Sequence, residues 1–156
     1  MITLTIKYLI DSNVIIKLWR DYTDALDRLK DSCNIVILKE ILDELARKES
    51  RELNGNRYLS ERFVKLLPYM VKNKANNIEG FCETFEIKEI ANNKYYYKGN
   101  KISHNDLLLI IACYEEENYV LVTSDKRLIN CSKDILKEDN VMTIDEFLEE
   151  KINYEG

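Results

Sequence analysis

YLIDSNVIIKLW, residues 8–19, opens as a strand and changes character in its middle. Tyr8, Leu9 and Ile10 suit a sheet, Asp11, Ser12 and Asn13 follow in a row, and apolar residues resume at Val14, Ile15, Ile16, Leu18 and Trp19. A strand that runs into an acid and then into a helix leaves that acid at the strand's carboxyl end. There the Asp11 carboxylate either caps the helix, as Asp and Asn commonly do, or serves as the first ligand of an active site.

Outward from this stretch, strand and helix signals alternate. Residues 2–10 predict the first strand, and 13–20 and 23–30 predict helices. NIVIL, 34–38, is a short apolar run of the kind shown by a parallel strand covered on both faces. The helix predicted over 39–50 puts Ile41, Leu42 and Leu45 on one face and charges on the other. Residues 57–74 predict a further helix, interrupted near Pro68, the one proline. Residues 81–91 alternate as a strand, and 92–101 (NNKYYYKGNK) form a polar loop. A strongly apolar helix is expected over 104–117 and a strand over 119–123 (YVLVT). A last strand (VMT) and short helix (IDEFLEE) follow, with Thr143 and Glu146 spaced as a capping box. The five strands and their intervening helices predict a single-domain α/β/α sandwich around a central, mainly parallel sheet.

At 156 residues the chain suits one domain with a real core. No apolar run approaches the roughly 18 residues of a membrane span, and no leader pattern suggests export, so a cytoplasmic, non-membrane protein is expected. Cys33, Cys82, Cys113 and Cys131 are scattered, and His104 is the one histidine, so a Cys/His zinc site is disfavoured. Cys33 and Cys113 read as buried, reduced thiols. The net charge of −5 argues against a nucleic-acid partner, but its distribution does not. Residues 39–75 carry nine Lys/Arg against six Asp/Glu, whereas residues 133–156 carry three against eight. One basic face on an acidic protein is compatible with RNA.

The carboxylates then decide the chemistry. Asp11 ends the first strand, Asp125 follows YVLVT, Glu44 lies in the helix after NIVIL with Glu40 one turn earlier, and Asp106 opens the apolar helix. Singly, each has a plain reading as a cap, a turn residue, a dipole partner or a solvated charge. Jointly they would crowd one edge of a parallel sheet, where ligands bind, and would need a compensating cation. Hard oxygen donors suit Mg²⁺ or Mn²⁺, ions that activate water and stabilise displacement at phosphorus. Neither a P-loop nor a nucleophile elbow is present in the sequence.

The order of IDSN (10–13), ILKEILDEL (37–45), SHNDLLLIIACY (103–114) and VLVTSDKRL (120–128) resembles the PIN domain, a metal-dependent ribonuclease fold that includes the VapC-type toxins. VMTIDEFL (141–148) resembles the family's closing strand and helix, while about 51–101 matches only in kind. By position the resemblance implies Asp11, Glu44, Asp106 and Asp125 as the catalytic, metal-binding acids, with Glu40 the alternative to Glu44. Asn13, Thr123 and Ser124 would hold carboxylates or waters in place. Where many relatives carry a further acid, this chain has Arg127, a departure that bears on a second metal position.

The implied activity is hydrolysis of single-stranded RNA by metal-activated water, without a protein nucleophile. A homodimer is also implied, and either a toxin held by an antitoxin protein or an RNA-processing enzyme. The alternative is a PIN-like scaffold without catalysis. Arg47, Arg51, Lys98 and Lys101 are the candidate RNA contacts, with Tyr95, Tyr96 or Tyr97 to stack bases; their plain alternatives are a solvated helix face and loop or dimer packing. His104 is expected in a loop or capping role. A haloacid-dehalogenase-like phosphatase would want an acid at position 13, where Asn13 stands.

Overall fold

The opening stretch folds as its pattern demands. Lys7–Ile10 forms β1, and helix α1 (Ser12–Asp21) begins directly after Asp11. The computed structural model describes residues 5–32, 34–74 and 77–151, without the side chains of residues 30–32, 51–53 and 57–58. After α1 come α2 (Ala25–Ser32), β2 (Asn34–Leu38), α3 (Lys39–Glu49), β3 (Arg51–Leu53), β4 (Asn56–Tyr58), α4 (Glu61–Val64) and β5 (Met70–Val71). The chain continues through α5 (Ile78–Phe85), β6 (Lys88–Ala91), β7 (Lys94–Tyr97), β8 (Asn100–Ser103) and α6 (His104–Glu115). It ends with β9 (Tyr119–Val122), α7 (Lys126–Ile135), β10 (Val141–Met142) and α8 (Ile144–Lys151).

Five strands form one sheet in the order β10-β9-β1-β2-β5, and every pairing in it is parallel. Helices flank it, giving the α/β/α sandwich expected from the sequence. The apolar runs of β1, β2 and β9 are buried after their first residue, because helices cover both faces of a parallel sheet. From Leu107 to Cys113 every residue of α6 is buried, so this helix is apolar all round rather than along a stripe. It packs against β9, β8 and α7, while α1 packs against α2 and α3. Among the described residues no helix is long and apolar enough to cross a membrane.

The order of assembly matters for function. The chain lays down β1, moves outward to β2 and β5, then returns to the other side of β1 for β9 and β10. The direction of winding therefore reverses between β1 and β9. At such a switch point the loops leaving the two strands diverge and open a crevice at their carboxyl ends.

The strand count of five agrees with the sequence, but its membership does not. The fifth strand is β5, within 57–74, where a helix was expected. Asn54 and Gly55 adopt φ of 52° and 80°, the paired left-handed conformation of an Asn-Gly hairpin turn, and this makes β3–β4. Only α4, capped by Ser60, and a 3₁₀ turn at Leu67–Tyr69 are helical there.

Residues 81–91, expected as a strand, begin as helix α5. Asn77 caps it by accepting from the Gly80 N–H at 2.9 Å, and Phe81 and Phe85 pack one turn apart with ring centroids 4.7 Å apart. The polar loop expected at 92–101 is a three-stranded antiparallel meander, β6-β7-β8. Its turns place Asn93, Lys98 and Gly99 at positive φ. Alternation then buries Tyr95 and Tyr97 and turns Tyr96 outward. Helix α7 was not anticipated from the sequence. Cys113 is a buried free thiol as expected; Cys33 lies outside the described residues.

Candidate metal centre

The site is built where β1 and β9 end. Asp11 caps α1: its Oδ1 accepts from the Ser12 N–H at 2.7 Å. Its Oδ2 accepts from the Thr123 hydroxyl at 2.7 Å, and Thr123 itself is fully buried at the end of β9. The same Thr123 Oγ1 accepts from the Asp125 N–H at 3.2 Å. One hydroxyl therefore ties the acid after β1 to the backbone of the acid after β9. Beside it Asn13 Oδ1 accepts from the Ser124 N–H at 3.3 Å, a second bridge between the two diverging loops. Asp125 in turn caps α7 through the Arg127 and Leu128 N–H groups.

Asp106 arrives from the other direction. Strand β8 ends at Ser103, whose hydroxyl accepts from the Asp106 N–H at 3.1 Å while Asp106 Oδ2 accepts from the Ser103 N–H at 3.2 Å. This reciprocal capping box sets the acid in the first turn of α6. Glu44 projects from α3, with Lys48 Nζ 3.8 Å from its Oε1 and Asn105 Nδ2 donating to its Oε2 at 3.5 Å. All four acids line one cleft of about 500 Å³, together with Asn13, Arg47, Lys48, Asn93, Ser103, His104 and Asn105.

Burial pushes the Asp11 carboxyl up to about 6; the Thr123 hydroxyl opposes the rise, and the carboxylates of Asp106 and Glu44 add to it. Asp106 is likewise raised, first by burial and then by Asp125 and Glu44, against the lowering effect of Ser103. The four acids thus feel one another across the cleft. The amino termini of α1, α6 and α7 also meet there, and their dipoles favour negative charge.

Hard carboxylate oxygens from four elements, facing one cleft, are the donor chemistry that suits Mg²⁺ or Mn²⁺. Among the described residues, however, no group of three Asp, Glu, His or Cys side chains is placed to hold a metal ion. Each carboxylate is instead engaged by donors of the chain.

The structure brings Asp11, Glu44, Asp106 and Asp125 to one cleft, with Asn13, Thr123 and Ser124 bridging the loops of Asp11 and Asp125. Glu40, the alternative to Glu44, does not line the cleft. Of the candidate RNA contacts, Arg47 lies at the rim; the side chain of Arg51 is outside the described residues. Lys98 lines a different cavity and is 2.8 Å from Asp134, and Lys101, exposed on β8, does not line the cleft. Tyr95 and Tyr97 are buried, leaving Tyr96 as the exposed ring of the three. His104 opens α6 with its ring stacked on Tyr95. Ser103, Asn93 and Asn105 line the cleft without standing out in the sequence; the Ser-x-x-Asp spacing of 103–106 is the available signal for the first.

No family model matches the chain, and no curated protein matches it. Its fold is similar to that in the crystal structure of PAE2754 from Pyrobaculum aerophilum, at a TM-score of 0.53 and 15% sequence identity, covering 93% of this chain and 88% of that chain. At that identity the likeness is one of fold.

Proposed function

We propose that the chain is a metal-dependent ribonuclease of the PIN type, hydrolysing phosphodiester bonds of single-stranded RNA. One observation carries this reading: four acids from four separate elements face a single cleft at the switch point of a parallel sheet, with Asp11 buried among them. Asp11, Glu44, Asp106 and Asp125 would hold Mg²⁺ or Mn²⁺. When bound, such a metal supplies activation of water and neutralisation of charge at phosphorus.

The chain's own residues do the rest. Thr123 orients the Asp11 carboxylate and the Asp125 backbone together, Asn13 holds the two loops in register, and Ser103 fixes Asp106. Arg47 and Lys48, at the rim, meet the phosphates that flank the cleaved bond. The same centre serves either a toxin restrained by an antitoxin or an RNA-processing enzyme, in the cytoplasm and as a homodimer.

The alternative is a binding module of the same fold without catalysis. Thermal melting with and without Mn²⁺, paired with cleavage of a mixed single-stranded RNA, separates the two. The nuclease shows metal-dependent stabilisation and metal-dependent cleavage, both lost in Asp11→Asn. A wild type that neither responds to Mn²⁺ nor cuts RNA is the binding module.

A further inference from the structure

A second cavity, about 960 Å³, lies between α5 and the β6–β7 hairpin, outside the acid cleft. Its floor is apolar, built on buried Ile87 and Tyr95, and Tyr96 stands at its edge, 39% exposed. Around this floor stand four glutamates, Glu79, Glu83, Glu86 and Glu89, all solvent-exposed. Among the described residues none of the four is in a salt bridge. Of the two lysines in the lining, Lys98 has its charge taken up by Asp134 at 2.8 Å. An apolar floor inside an acidic ring is complementary to a chain segment that is apolar and cationic in turn.

The neighbouring strand adds a backbone partner. Strand β6 pairs with β7 alone among the described strands, all four of its residues are exposed, and Ile90 is 51% exposed. The register irregularity between Glu89 and Ala91 confines its regular edge to the end beside the cavity. An edge of β6 without a described strand partner therefore lies beside the glutamates, the position an extended peptide takes when it adds to a sheet.

Two other occupants suit the groove less well. Phosphates of RNA would be repelled by the carboxylates. A second copy of this chain carries the same net charge of −5 and would be repelled at an acidic rim.

We propose that the groove between α5 and β6–β7 is the docking site for a basic, partly apolar segment of a partner protein. The inference is independent of the nuclease reading, since no acid of the cleft lines this groove.

The test uses two short labelled peptides, one alternating Lys and Val, the other Glu and Val, with the ¹⁵N-labelled full chain. The Lys/Val peptide should shift amide signals of residues 78–99 and the Glu/Val peptide should not. Glu79→Lys combined with Glu83→Lys should weaken Lys/Val binding about tenfold or more while the chain still folds. Asp11→Asn should leave it unaltered, which keeps this result separate from the fate of the nuclease. No shift at 78–99, or binding indifferent to the double variant, overturns the proposal. Self-association abolished by the double variant overturns it in favour of a second copy, and the same amides responding to single-stranded RNA overturns it in favour of nucleic acid.

Discussion

Two regions of this molecule each gather four carboxylates, and they differ in almost everything else. In the cleft, Asp11, Glu44, Asp106 and Asp125 come from four elements separated by up to 114 residues of chain, and each is held by named donors of the fold. Around the groove, Glu79, Glu83, Glu86 and Glu89 come from one stretch of chain and stand in solvent. Asp11 is 4% exposed, and burial raises its carboxyl to about 6. Water screens charges that remain in it, so an exposed acidic ring attracts cationic partners at little cost to the fold. Charge crowded out of water has to be compensated. The number of acids is equal; the dielectric around them makes one a candidate reaction centre and the other a candidate docking rim.

The comparison breaks most sharply at activity. Under the nuclease reading, Asp11→Asn lowers metal-dependent RNA cleavage by roughly three orders of magnitude, the loss met when one preorganised electrostatic contact to a transition state is removed. Glu79→Gln with Glu83→Gln leaves the same rate unchanged. Equal losses from both variants in a single-turnover assay would erase the distinction between the two regions.

The pH dependence of the metal-free protein comes next in size. Asp11 titrates near 3.8 in the unfolded chain and near 6 in the fold, so the folded state binds the proton more tightly. Its contribution to stability is fully present below pH 3.8 and is lost as the pH rises through 6. Across that window the metal-free wild type should lose up to about 3 kcal/mol from this group. Asp11→Asn should flatten the decline and raise the melting temperature at neutral pH. Denaturant titrations at a series of pH values in the presence of a chelator check both.

Thr123→Val sharpens the comparison from within the cleft. It removes the donor to Asp11 and the acceptor of the Asp125 N–H at a fully buried position. A loss of about 1.5–3 kcal/mol is expected in chemical denaturation. Under the nuclease reading, Mn²⁺ affinity should fall about 10–100-fold in the same variant. The smallest effect belongs to the turn beside the groove: Gly99 sits at φ +86°, and Gly99→Ala should cost about 1 kcal/mol without altering cleavage.

The acids and their order were legible in the chain because each follows a strong local signal. Asp11 and Asp125 come after short apolar strands, and Asp106 precedes the apolar run 107–114, expected as a buried helix. Glu44 was separable from Glu40 only in three dimensions, because one turn of α3 moves a side chain along the same face and only the cleft shows which one enters it. The stretch 51–101 was misread for a different reason. Its helix α5 and strands β6–β8 are short, half-exposed elements, so their periodicity is weak and their turns carry the information. Asn54-Gly55 and Asn93 are such turn signals, and the alternation of Tyr95, Tyr96 and Tyr97 is the signature of a strand with one buried face.

By itself, then, the sequence determined the α/β character, the apolar strands and helix of the core, and the four acids that follow them. These rest on local hydrophobic pattern and on the burial that apolar surface demands. Tertiary structure decided that β5 completes the sheet, that winding reverses between β1 and β9, and that Thr123 joins Asp11 to Asp125. It also separated Lys98 and Lys101 from the cleft and opened a groove beside β6. Such relations depend on which distant strands pair, and strand pairing is a contest among non-local contacts that no single segment records.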